Sequence, residues 1–208
     1  MDNNIPMPRK PGRPLSFDRQ AALQQAMLTF WQHGYETTSI SDLTAAMGVT
    51  APSIYTAYGD KKQLFLEAMR LYAKPPDDMQ CALDQAATAR DAASAMLISA
   101  AHAFTGETTP RGCLLASATA SGSKDSADVQ KSVADVRRDI IARLKGRIDR
   151  DIATGVLPET ASATTLAAMV VAMIQGISVL ARDGMDRESL LMMASCALQG
   201  WPGSRIDG

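Results

Sequence analysis

The sequence predicts an all-α protein, with a small N-terminal three-helix bundle built on a helix-turn-helix and a larger helical domain behind it. Three observations predict this. Ala, Leu, Met, Gln and Arg, all good helix formers, are abundant, whereas aromatic residues make up only 5% of the chain. Runs of Val, Ile, Thr and aromatics at period two are nearly absent, and apolar residues recur instead at steps of three and four. Two short capped segments meet at a glycine early in the chain, and long Ala-rich patterns follow a proline break. A chain of 208 residues, 46% hydrophobic, is long enough to bury a sizeable core in one large or two small domains.

Residues 1–15 are rich in Pro, Asn, Arg and Gly and read as a flexible basic arm. The first helix is predicted to start at Ser16 as N-cap, with Asp18 in its first turn. Leu23, Ala26, Met27, Phe30 and Trp31 form its buried stripe, and Gly34 ends it. Ser39 with Asp42 three residues on signals a capping box for the second helix, which turns Ile40, Leu43 and Met47 inward. Gly48 breaks it. Thr50 caps the third helix, Pro52 is tolerated in its first turn, and Tyr58-Gly59 close it. Asp60 caps a fourth, with Leu64, Phe65, Ala68, Met69 and Tyr72 as its apolar face. The run Lys74-Pro75-Pro76-Asp77-Asp78 marks a boundary between a first domain, 16–74, and a second, 78–208. In the second, helices are predicted at 78–104, 112–122, 125–154, 161–183 and 187–201. The 125–154 helix carries a stripe of Val129, Val133, Val136, Ile140, Leu144, Ile148 and Ile152 opposite a charged face.

Thr37 to Tyr55 read as a helix-turn-helix: two short helices joined through a three-residue turn containing Gly48, where a positive φ costs a glycine nothing. The exposed residues early in the third helix, Thr50, Ala51, Ser53 and Thr56, are small or polar, as entry into a major groove requires. A net charge of −1 excludes a protein that coats DNA through a global field. Residues 1–72 hold seven Lys/Arg against six Asp/Glu, with the cations gathered in the arm and at Lys61-Lys62. Three cysteines without short spacing argue against a disulfide framework or a metal site and fit a reducing cytoplasm. The N-terminus lacks a signal peptide's apolar core. The apolar stretch Leu166 to Ala181, interrupted by Gln175, Gly176 and Ser178, is shorter than a membrane span needs, so a buried helix is expected.

Residues 16–66 resemble the DNA-binding domain of the tetracycline-repressor (TetR) family of transcriptional regulators. The resemblance is carried by Ser16-Phe17-Asp18, by Phe30 to Thr38, by Met47-Gly48-Val49 and by Ser53 to Phe65. The remainder is similar only in helix layout. Thr44 departs from the family, which has a small Ala there. The resemblance implies that Thr50, Ser53, Tyr55 and Thr56 face the major groove of double-stranded operator DNA, and that Thr38, Tyr58 and Lys61 hold phosphates. It also implies a homodimer whose C-terminal halves join and hold an inducer. None of the groove-facing residues is Arg or Asn, so base reading is expected to lean on methyl contacts. The arm segment Pro8 to Pro14 resembles an AT-hook, with Arg9, Lys10 and Arg13 as minor-groove or phosphate contacts.

The second domain offers no catalytic constellation, no cofactor motif and no metal cluster. Only two histidines occur: His33, expected to be structural, and His102, which sits between Ala101 and Ala103. Met96, His102, Phe104, Cys113, Leu114, Met169 and Met173 are the expected lining of an apolar inducer chamber, with ordinary core packing as the competing reading. Gly112-Cys113-Leu114-Leu115 resembles an element of one family branch. Cys113 there is either a small buried hydrophobe or a thiol that senses oxidants or electrophiles. Apolar residues from Leu166 to Leu180 and from Leu190 to Trp201 exceed what one helix pair can hide, so the last two helices are expected to pair with a second chain. Such a dimer sets its recognition helices roughly 34–36 Å apart, or a multiple of that. An architectural DNA-binding protein without a ligand is the alternative of another class.

Overall fold

In a computed structural model, residues 17–73, 75–118 and 126–203 are described. Ten helices and no strand occur among them: α1 (Arg19–His33), α2 (Ile40–Met47), α3 (Ala51–Tyr58), α4 (Lys61–Tyr72), α5 (Pro76–Gln85), α6 (Ala89–Phe104), α7 (Leu114–Ser117), α8 (Ala127–Ala153), α9 (Ala163–Arg182) and α10 (Arg187–Ala197). The all-α expectation holds. The arm, with Arg9, Lys10 and Arg13, lies outside the described residues.

Helices α1 to α4 enclose one apolar centre. Leu23, Ala26, Phe30 and Trp31 of α1 meet Leu43 and Met47 of α2, Ile54 of α3, and Leu64, Phe65, Ala68 and Met69 of α4, all buried. Phe30 and Phe65 pack edge to face at 5.2 Å, and Tyr35 adds a second edge contact to Phe65 at 5.1 Å. Such aromatic pairs stabilise beyond their buried area. The N-cap of α1 is Asp18, not Ser16. Its carboxylate accepts from the Gln20 and Ala21 N–H groups at 2.9 and 3.1 Å, satisfying two otherwise unpaired donors at once.

The second half is built on α6, α8 and α9, with α5 and α10 at the flanks. Alanines allow close approach: Ala92, Ala93, Ala100 and Ala101 of α6 and Ala163, Ala167 and Ala181 of α9 are all buried. The single helix expected over 78–104 is two. A break at residues 86–88 separates α5 from α6, which opens on a capping box between Thr88 and Asp91. Arg147 of α8 holds the break open. Its guanidinium donates to the carbonyls of Leu83, Ala86 and Ala87 and pairs with Asp151, whose other oxygen accepts the Ala89 N–H at 2.6 Å. Arg147 and Asp151 are buried because each follows a stripe residue by three, Leu144 and Ile148, and so shares the inward side of α8. Of the predicted stripe, Val129, Val133, Leu144 and Ile148 are buried, while Val136, Ile140 and Ile152 are half-buried. The segment expected as a helix over 112–122 shows only the four-residue α7, and residues 119–125 lie outside the description.

Helix α9 is long and apolar enough to cross a membrane by length and composition, with a mean hydropathy of 1.9 over its best window, of which 39% is buried. One face packs on α6 and α8. Toward solvent lie Ala168, Ala172 and Val179, together with Met192 of α10.

Candidate nucleic-acid interface

The turn between α2 and α3 places the candidate DNA-reading surface. Ser39 and Asp42 cap α2 reciprocally: the Ser39 hydroxyl accepts the Asp42 N–H at 3.1 Å, and the Asp42 carboxylate accepts the Ser39 N–H at 2.8 Å. The Ser39 hydroxyl also donates to that carboxylate at 2.7 Å, and this bond together with the Ser39 N–H holds the Asp42 carboxyl below its usual pKa. Gly48 sits at φ 65° and ψ 29°, the left-handed corner that turns the chain from α2 into α3. Leu43, Met47 and Ile54 close the joint from inside. Thr44 fits it by donating its hydroxyl to the Ser41 carbonyl at 2.8 Å.

Helix α3 then presents a polar outer face. Thr50, Tyr55 and Thr56 are exposed, and Ala51 and Ser53 are half-buried. Thr50 is the N-cap but makes no side-chain cap bond. Its hydroxyl instead lies 2.9 Å from that of Ser53. The Thr56 hydroxyl donates to the Pro52 carbonyl at 2.8 Å. Tyr55 is 49% exposed, an unusual position for a ring in a small bundle.

The three expected phosphate contacts are placed differently from one another. Tyr58 is 4% exposed, and its hydroxyl donates to the Arg19 carbonyl at 2.8 Å. Burial raises its pKa. The Arg19 guanidinium stacks 4.5 Å above its ring while bonding both Glu67 oxygens and the Ala57 carbonyl. Thr38 is 1% exposed and donates to the Gly34 carbonyl at 2.6 Å. Both hydroxyl protons are thus spent inside the fold, because a buried hydroxyl must find a partner. Lys61 opens α4 beside α3. Its Nζ lies over the Tyr35 ring at 4.6 Å and 3.4 Å from the Glu36 carbonyl, and desolvation lowers its pKa.

The expected chamber residues line neither of the two open clefts described below. Phe104, Cys113 and Leu114 are buried, Met96, Met169 and Met173 are half-buried against the core, and His102 is exposed. His33 is likewise exposed, at the end of α1. Open clefts occur elsewhere. One of about 630 Å³ runs between Leu28 and Gln32 of α1 and the loop Glu107 to Arg111. Another of about 440 Å³ lies between Thr88, Asp151 and Trp201.

Sequence reasoning missed the junction between the two halves. The Trp31 indole donates to the Gly112 carbonyl at 2.9 Å, and Arg182 of α9 donates to the Trp31 carbonyl at 2.8 Å. Gly112, at φ 81°, lies so close to Arg182 that a Cβ there would stand 2.6 Å from its Nε. Tyr72 packs edge-on against Trp31 at 4.9 Å and donates its hydroxyl to Cys113 Sγ at 3.4 Å. Burial and the neighbouring thiol raise the Tyr72 pKa. The Cys113 N–H donates to Ser178 Oγ at 2.8 Å. No spacing rule reveals such contacts, since their partners lie 41 to 151 positions apart.

Residues 22–68 match the family model described as bacterial regulatory proteins, tetR family. Residues 89–191 match the model of the tetracyclin repressor-like C-terminal domain. The chain is 34% identical over 196 residues to the HTH-type transcriptional repressor ComR of Escherichia coli (strain K12), covering 92% of each. It is 37% identical, with a TM-score of 0.86, to a cysteine mutant of the TetR family transcriptional regulator CifR complexed with 26-bp double-strand operator DNA, over 92% of this chain and 100% of that one. The fold alone is shared with the transcriptional regulator FadR of Bacillus subtilis in complex with stearoyl-CoA, at 15% identity and a TM-score of 0.69 over 88% of this chain and 96% of that one. With both halves matched and the helix-turn-helix formed, the chain belongs to the TetR family of DNA-binding transcriptional regulators.

Proposed function

We propose that the chain is a homodimeric repressor that binds a palindromic operator through α3 and leaves it when a small, largely apolar inducer binds. The observation that carries the reading is the outer face of α3. Thr50, Ser53, Tyr55 and Thr56 offer hydroxyls, methyl groups and one exposed ring, with no carboxylate among them. A groove-entering helix reads bases with such groups, and the methyls suit contact with thymine. Lys61 supplies a phosphate contact at the edge. The arm adds Arg9, Lys10 and Arg13, with Arg13 in the adjacent minor groove. This activity places the protein in the cytoplasm with its DNA.

Dimerisation runs through α9 and α10, whose outer faces expose Val179 and Met192. An apolar inducer is favoured because the α6, α8 and α9 interior is lined by Ala, Leu, Val and Met, and Met yields to varied shapes. Operator release is the test. Fluorescence anisotropy on a palindromic duplex selected by the full chain should give specific affinity far above that for random DNA. Tyr55→Ala should weaken specific binding by roughly tenfold, about the loss of one good base contact. Equal affinity for random and selected duplexes would instead support the architectural reading. Deleting residues 1–14 should weaken binding at physiological salt, and unchanged affinity would remove the arm from the interface.

A second reading places the switch at Cys113. Its favouring observation is the Tyr72 hydroxyl on its sulfur, beside the Trp31 contact that joins the two halves. Oxidant-induced operator release that persists in Cys113→Ser sinks it.

A further inference from the structure

Lys62 stands next to Lys61 in the first turn of α4, yet it serves the other half of the molecule. Its Nζ lies 2.5 Å from Asp128 Oδ2, in the first turn of α8. This bond holds the Lys62 ammonium above its usual pKa and the Asp128 carboxyl below its own, so both are charged at neutral pH. Asp60 and Lys131 add one charge of each sign nearby. The Asp128 side chain remains 72% exposed and that of Lys62 34%. Exchanging one partner for another anion therefore strands no buried charge.

We propose that Lys62 is an operator-phosphate ligand held in reserve by Asp128, so that DNA and the C-terminal half compete for one ammonium. The inference rests on α3 being the groove-entering helix. Helix α3 ends at Tyr58 and α4 begins at Lys61, so both lysines stand at the margin of the reading surface. A solvent-exposed ion pair holds its partners weakly, whereas a duplex presents a dense row of phosphates. Operator DNA captures Lys62, and Asp128 is released. The converse gives the C-terminal half a route to DNA. Any shift of α8 that presses Asp128 onto Lys62 withdraws a cation from the operator.

The test measures wild type, Lys62→Gln, Lys62→Arg, Asp128→Asn and the double variant Lys62→Gln/Asp128→Asn, all as full chains. Each binds a duplex selected by the wild type from a random pool, over a series of KCl concentrations, with circular dichroism melts confirming that every variant folds. Asp128→Asn should bind roughly two- to fivefold more tightly, the range an exposed pair spans. Lys62→Gln should bind more weakly, with a log affinity against log salt slope shallower by about 0.9 per protomer, and Lys62→Arg should keep the wild-type slope. In the Lys62→Gln background, Asp128→Asn should have no effect. The proposal is overturned if Asp128→Asn tightens binding equally there, or if Lys62→Gln leaves the slope unchanged. A wild type that selects no duplex removes the operator reading itself, and this inference with it.

Discussion

Single residues in this protein carry roles set by where their polar atoms end. Gly48 has one role, a backbone corner. No atom lies within 4 Å of the position a Cβ would take there, so the cost of Gly48→Ala is purely conformational. We expect about 1 kcal/mol of lost stability in urea unfolding, from the left-handed penalty, and a smaller loss for Gly48→Asn. Arg147 and Asp151 behave in the opposite way, because their surroundings are crowded and dry. Arg147→Ala removes three carbonyl contacts and leaves Asp151 buried without its partner. A loss of about 3–5 kcal/mol is expected, read as a lowered melting temperature. Tyr58 and Thr38 mark where residue-type reasoning stops. A Tyr or Thr beside a helix-turn-helix reads equally well as a phosphate donor or a buried clamp, and here both hydroxyls donate to carbonyls, those of Arg19 and Gly34.

At the scale of elements, the caps were legible and one helix break was not. Ser39 with Asp42, and Asp60 with Gln63, announce the starts of α2 and α4 in the sequence, and both bond as expected. The break between α5 and α6 follows Ala86-Ala87, which holds no Gly or Pro, so the pattern ran through it. Its one local signal was the Thr88-Asp91 box. The long-range reason is Arg147, which takes carbonyls that a continuous helix would have used itself. The caps also predict a pH dependence. The Asp42 carboxyl is held below its ordinary value of 3.8 by its Ser39 bonds. Its stabilising contribution is therefore complete above that value and is lost as pH falls through the lower folded value. Asp42→Asn should flatten the acid limb of the stability profile, measured by thermal melts from neutral to acid pH. An unchanged limb would show that the capping box does not respond to protonation.

For the whole molecule, the decisive features are the junction and the exposed apolar face. The two halves are tied by Trp31, Tyr72, Gly112 and Arg182, which join the end of α1 to the end of α9. These contacts connect α9 directly to the bundle that carries α3. The same α9 exposes Val179 at 54%, and α10 exposes Met192 at 62%. Val179→Glu with Met192→Glu should yield a folded monomer by light scattering, with operator affinity reduced by at least about tenfold as the linked second half-site contact is lost. A stable dimer in that variant would move the interface elsewhere.

The sequence by itself determined the all-α class, the helix-turn-helix and its glycine corner, because these depend on periodicity, caps and backbone freedom within a few residues. It also exposed the family, since the matching motifs are contiguous. Tertiary structure alone decided which hydroxyls face inward, why α5 and α6 part, and how the halves are joined. Those outcomes depend on burial, which commits a polar atom to whichever carbonyl or carboxylate folding brings near, and no local spacing encodes that partner.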